Sequence, residues 1–277
     1  MQAMTNGLLA TPPLSRVQRP RTTGDFMLIF AAMLLLGVLL GFVGAGGAGV
    51  MITMLSVGFN IPMHVALGTS LAAMAFTSLS GSISHFREGN VNRRLGLLMG
   101  AFGAVGAFWG AHISSTLASD TLKPLTGVVL MFSALLIYLR VFHPKHPVFN
   151  IRCNNTGGLR FWLLTSVVGV FNGLVSGACG VGATPFIQLT LLIIFNVPLY
   201  QTVGTTMLVI MPIAVLGSLG FLAAGHLDPT LFVQVLAGQV IGAYVGAKFT
   251  RMAPQLLLKS CMVLLPALGG IILLLSR

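Results

Sequence analysis

Acidic residues are nearly absent from this chain. Its 277 residues include four Asp and Glu against fifteen Lys and Arg, and charged residues make up only 7% of the whole. Soluble domains carry about a quarter. A fold in water needs a charged surface over its core, and this chain cannot make one. With 56% hydrophobic residues it reads as an integral membrane protein. The shortage of carboxylates also removes most candidates for general acid–base or metal-assisted catalysis. There is no His-Glu-x-x-His, no phosphate-loop lysine motif and no carboxylate pair, so no enzyme activity, metal or cofactor is expected. Cys153, Cys179 and Cys261 show no paired spacing, which excludes a disulfide framework or a zinc cluster.

What remains is apolar sequence with an excess of cations. A net charge of +11 would suggest nucleic acid for a soluble domain. Here the cations sit in short segments between apolar runs, where they set membrane orientation, so nucleic acid is not an expected partner. The organisation reads as a basic tail (1–25), a first transmembrane repeat (26–142), a cytoplasmic linker (143–158) and a second transmembrane repeat (159–277). The tail and the run after it imitate a signal peptide or, less well, a transit peptide. Cleavage is not expected, because the same segment recurs in mid-chain.

That recurrence is a duplication. A shift of 136 residues aligns 41–112 with 177–248, and eighteen of the 72 positions are identical. Eight of these are glycines, among them Gly44/Gly180, Gly46/Gly182, Gly68/Gly204, Gly106/Gly242 and Gly110/Gly246. Each half has a long apolar run (26–43; 159–175), a glycine-rich break (44–49; 176–184) and a short apolar run (50–59; 185–195). The short run cannot cross a hydrocarbon core that needs about 20 helical residues. Three long helices follow, near 63–86, 95–117 and 121–142, and near 199–224, 230–250 and 254–275. The expected fold is an all-α polytopic membrane protein of two tandem homologous helical repeats, with helices broken at the glycine-rich segments.

Two topologies compete. With four crossings per half the repeats are parallel, and Lys and Arg split 11 to 4 in favour of the cytoplasm. With five per half the repeats are inverted, the split is 10 to 5, and the basic tail lies outside. The charge bias prefers four plus four by one residue. Both place 87–94 and 143–160 in the cytoplasm, which leaves the sequon Asn154-Asn155-Thr156 idle.

The breaks are the candidate substrate site. Glycines at membrane depth free backbone groups that hydrocarbon cannot satisfy, and transporters place anions where such half-helix ends meet. Gly44, Gly46, Gly47, Gly180 and Gly182 would let backbone N–H groups approach a ligand; the alternative is close helix packing. Thr69, Ser70, Thr205 and Thr206 could donate hydroxyl hydrogen bonds to a small oxyanion, or bond between helices. Asn60 and Asn196 of the duplicated Asn-x-Pro could donate amides, or simply make turns. No acid lies within a long apolar run. His64 falls at a helix start and His112 near a helix end. His85 and Arg87, at the inner end of the third run, suit either a gate or coupling site or a snorkelling anchor. Cys179, equivalent to Val43, reads as a small packing residue.

These features, with His85-Phe86-Arg87-Glu88-Gly89-Asn90-Val91, resemble the TauE/SafE family of membrane transporters, also called the toluene-sulfonate uptake permease family. The resemblance covers about residues 26–275. The second half departs from it, with Phe221 and Ala223 in place of His85 and Arg87, so a role for that pair applies to the first half only. The resemblance implies a secondary transporter of the bacterial-type cytoplasmic membrane that exports sulfite, sulfoacetate or another organosulfonate. An anion channel and an uptake permease for a related sulfur compound or carboxylate are the alternatives. Alternating access would move one half against the other, and proton or ion coupling and a homo-oligomer are compatible with the composition. Replacing Gly46 or Gly182 by Leu is expected to abolish flux in liposomes while the protein still inserts.

Overall fold

The computed structural model describes residues 23–43, 48–87, 89, 91–142, 158–180, 183–250 and 255–276. All regular structure among them is helical: α1 (Thr23–Val43), α2 (Ala48–Thr53), α3 (Met63–Arg87), α4 (Arg93–Thr116) and α5 (Ser119–Phe142), then α6 (Leu159–Cys179), α7 (Thr184–Ile193), α8 (Leu199–Ala223), α9 (Pro229–Thr250) and α10 (Gln255–Leu275). A π-helical turn, Met54–Gly58, extends α2. The helix breaks are shorter than the glycine pattern suggests. In the second half Ser176–Cys179 belong to α6, which ends on Gly180 in the left-handed conformation.

Five helices among the described residues are long and apolar enough to cross a membrane. The chain is thus a multi-pass membrane protein, and its polarity is that of one. Leu35, Phe76, Leu97, Trp109, Val128 and Phe171 are exposed on the outside, whereas Thr69, Ser114, Thr126, Asn172 and Gln239 are buried within. Among the described residues no Asp, Glu, Lys or Arg is buried.

The helix directions correct the four-plus-four topology. Gly68 of α3 lies against Phe221 of α8, Leu71 against Gly217, and Gly81 against Met207. As numbers rise on α3 they fall on α8, so the two are antiparallel. The same holds for α5 and α10, where Gly127 meets Leu274 and Met131 meets Gly270. Helices at equivalent places in the two halves therefore point in opposite directions. Parallel halves of four crossings would have made them point the same way; five segments per half, inverted, give the observed arrangement.

The halves are also interlocked. α1 runs parallel to α9 of the other half, with Gly238 on Phe30 and Gly242 on Leu34 and Val38. α4 runs parallel to α6, with Gly106 on Val170 and Gly110 on Leu174 and Ala178. A Cβ at Gly242 would meet the Leu34 carbonyl oxygen, and one at Gly106 the Val170 carbonyl oxygen. These two contacts are the same contact in the two halves, displaced by 136 residues. Without a hydrophobic force between helices in lipid, such close backbone approach supplies the dispersion that holds them. Overpacking a core by a few methylenes costs about 1–3 kcal/mol or more. Gly106→Leu and Gly242→Leu are each expected to abolish the monodisperse peak in size-exclusion chromatography. Gly58→Ala, whose new methyl would meet only Met54 Cγ at 3.6 Å, is expected to keep it.

Candidate anion-binding site

The site begins where α6 stops. Gly180 takes φ 64°, a left-handed cap that ends a helix cleanly, and a Cβ there would strike Leu67 of α3. Ala183 is also left-handed, at φ 45°, and leads into α7 with Pro185 in the first turn. Pro cannot continue a preceding helix but suits the start of a new one. Asn172 of α6 donates to Thr190 of α7 at 3.3 Å, so α7 folds back along α6 and the last carbonyls of α6 lie beside the first N–H groups of α7 at the turn. No side chain caps the α7 N-terminus.

Four other helices surround this break. α3 supplies Leu67 at Gly180; α4 supplies Ala107 and Ala111 at Gly177; α5 supplies Thr126 beside the Cys179 thiol. α8 closes the ring through Gly217 and Gly220, which rest on Ala107 and Ala111. Five of these six helices carry a buried hydroxyl here: Thr69 and Ser70 on α3, Ser114 on α4, Thr126 on α5, Ser176 on α6 and Thr184 on α7. Thr126 pairs with the Cys179 thiol, and the other five oxygens have no hydrogen-bond partner. Gln188, one turn into α7, leaves its side-chain N–H₂ unpartnered as well. Serine and threonine in helices commonly bond back to the carbonyl three or four residues earlier, as Thr165, Ser133 and Thr206 do here. A buried hydroxyl left without any partner costs about 1–3 kcal/mol. These hydroxyls make the surroundings of the α6–α7 break a candidate place for a polar ligand.

The residues expected from the sequence divide. Gly180, Thr69 and Ser70 belong to this ring. Thr205 does not: it accepts a bond from the Asn92 backbone N–H at 3.0 Å, and Thr206 donates to the Thr202 carbonyl at 2.7 Å. Since Gly81 faces Met207, Thr205 lies some fourteen residues along α3 from Thr69, roughly 20 Å at 1.5 Å per residue. The two hydroxyl pairs are not one site. Asn60 and Asn196 take φ 51° and 49° and are exposed in the turns that close α2 and α7. Asparagine is among the few residues tolerant of that conformation. His85 and Arg87 end α3; Arg87 is exposed near Arg93, which stacks over Phe86 at 4.1 Å, and near Arg94, over Phe161 at 5.6 Å. Gly44, Gly46, Gly47 and Gly182 lie outside the described residues.

Thr126, Ser176, Thr184 and Gln188 escaped the sequence reading because their counterparts 136 residues away do not share their chemistry, and Ser114, whose counterpart is Thr250, lies in no motif. Ser176, Thr184 and Gln188 correspond to Leu40, Ala48 and Ile52. Searching the second break for polar residues missing from the first would have found them. Among the described residues no group of three His, Cys, Asp or Glu could hold a metal.

Comparison with known proteins agrees with a transporter. The family model described as "Sulfite exporter TauE/SafE" matches residues 29–273. A "Probable membrane transporter protein YdhB" of Bacillus subtilis (strain 168) is 48% identical over 248 residues, covering 90% of this chain and all of that protein. A "Probable membrane transporter protein" of Xylella fastidiosa (strain 9a5c) is 26% identical over 214 residues, 76% of this chain and 80% of that one. "Probable membrane transporter protein YjnA" of Bacillus subtilis is 25% identical over 238 residues, 80% and 89% of the two chains. No solved structure matches. The chain belongs to the TauE/SafE family of membrane transporters.

Proposed function

We propose that this protein is a secondary transporter, not an enzyme, that exports a small sulfur-containing anion such as sulfite, sulfoacetate or another organosulfonate. The observation that carries the reading is the set of five unpartnered hydroxyls on the helices about the α6–α7 break. It pairs with the family description, which names a sulfite exporter. A sulfite or sulfonate group presents three oxygens on one small head, and several hydroxyls with a helix N-terminus match that need. With no buried formal charge at the site, the anion can be held and still released.

The helix directions bear on orientation. Among the described residues, the helix ends that carry Arg87, Arg93, Arg94, Arg140, Arg160, Lys248 and Lys259 fall on one side, and the start of α5 with Lys123 falls on the other. By the positive-inside rule the first side is cytoplasmic. The exposed cluster of Arg87, Arg93, Arg94 and Arg160 then gathers anions at the inner mouth. The duplicated series acts as an inverted repeat, and alternating access moves units that cross the halves, because glycine contacts tie α1 to α9 and α4 to α6.

Two outcomes are expected. Ser176→Ala with Thr184→Val removes two hydroxyls and lowers sulfite uptake into proteoliposomes at least tenfold at low substrate, since each bond to a charged group is worth about 1.5–3 kcal/mol; unchanged uptake would refute the site, and single-channel currents would refute a carrier. For orientation, a cysteine at exposed Thr121 should react with an impermeant maleimide in intact cells, while Cys153 reacts only after permeabilisation.

A further inference from the structure

Two histidines that take no part in the hydroxyl ring meet at the outer end of the bundle. His64 stands in the first turn of α3, and His226 lies in the loop between α8 and α9. Their rings stack with centroids 4.8 Å apart and planes 22° from parallel. The contact joins the two halves of the chain, and the His226 carbonyl oxygen rests on Gly68, one residue before Thr69.

The hydrogen bonds specify the charge state of this contact. His64 Nε2 lies 2.9 Å from the Leu117 carbonyl oxygen, which can only accept, so Nε2 carries the hydrogen. Ser119 Oγ lies 3.2 Å from His64 Nδ1, which in that tautomer accepts from the serine hydroxyl. Neutral His64 is therefore satisfied at both nitrogens, by Leu117 after α4 and by Ser119 at the start of α5. His226 Nδ1 is buried with no partner. A proton on His226 Nδ1 would put an unaccepted N–H and a cation against the His64 ring. The other titratable or charged groups on the adjoining elements are His112 on α4, Asp120 and Lys123 on α5, and Asp228 after His226. His112 and Asp120 are exposed, and Asp228 is engaged at the N-terminus of α9, accepting from the Thr230 N–H at 2.9 Å.

We propose that His64 and His226 form a proton-binding latch that ties the outer end of α3 to the α8–α9 loop when neutral and opens when it takes up a proton. The latch is then the coupling site of the transporter, with a proton as its ligand, and stands over the mouth nearest the α6–α7 break. Burial first, and the neighbouring His64 second, hold the His226 imidazole below its ordinary pKa. The sign follows: the closed contact is fully favoured above the ordinary imidazole range and is lost as pH falls through it, because the open form binds the proton more tightly.

The role as a coupling site rests on the transporter reading; the latch itself does not, and it can be read without any substrate. Hydrogen exchange of the full-length protein in nanodiscs, corrected for intrinsic rates, is to be followed at residues 117–119 and 222–228 at pH 5 and pH 8. Protection in both segments is expected to fall at least tenfold at pH 5 in the wild type. His226→Phe, which keeps a stacked ring but cannot titrate, is expected to stay protected at both values, and His226→Asn to stay open at both. A wild type with no acid response, or His226→Phe with the wild-type response, overturns the latch. In proteoliposomes, a pH gradient should accelerate flux of an alkyl sulfonate through the wild type but not through His226→Phe. Equal acceleration overturns the coupling role, whereas an intact latch response with no sulfonate or sulfite flux sinks the transport reading alone.

Discussion

Everything in this molecule hangs on helices that approach until their backbones touch. Gly106 against the Val170 carbonyl and Gly242 against the Leu34 carbonyl are contacts that no side chain permits. In lipid, where apolar surface gains little by turning inward, such contact replaces the hydrophobic force that assembles soluble domains. It also decides which helices travel together. Because each contact joins a first helix of one half to a fourth helix of the other, neither half is a body of its own. Gly180, at the second break, has a different task. Gly180 ends α6 in a left-handed turn against Leu67, and that abrupt end exposes the N-terminus of α7.

The interior so formed is polar but uncharged. A carboxylate or ammonium at membrane depth is expensive and needs a partner close by. Hydroxyls and a helix end offer part of that attraction at a lower desolvation cost. This division matches cations that stand at loops and helix ends while no described charged residue is buried. In the proposed transporter, attraction from a distance falls to the arginines and recognition to serine and threonine within. The histidine pair fits the same economy, since imidazole is the side chain that can be neutral or charged within the physiological range.

Much of the architecture was legible from one-dimensional pattern. Apolar run lengths located the helices to within a few residues, and Asn60-x-Pro62 and Asn196-x-Pro198 marked where the short ones close. The sequence could not show direction. A short helix such as α7 can continue its predecessor or turn back, and charge counting separated the two topologies by a single residue. Contacts such as Leu71 with Gly217 decide it at once. Site residues were partly hidden for another reason. Duplication drew attention to paired positions, Thr69 with Thr205 and Ser70 with Thr206, yet antiparallel packing sends those pairs to opposite ends of α3 and α8. Residues such as Thr126 and Cys179, which meet in space, share neither spacing nor motif. Gly46 and Gly182 were placed at the centre of the reading, and they lie outside the described residues.

The unequal chemistry of the two breaks has a consequence for energetics. Ser176, Thr184 and Gln188 on one side stand where Leu40, Ala48 and Ile52 stand on the other. An inverted repeat with matched ends would offer a ligand the same binding constant from either compartment. In the proposed carrier the two faces are then inequivalent, and half-saturation is expected to differ between them. Detailed balance still forbids this asymmetry from choosing the direction of net flow, which belongs to the gradients alone. What it would set is the concentration at which each compartment begins to fill the proposed carrier.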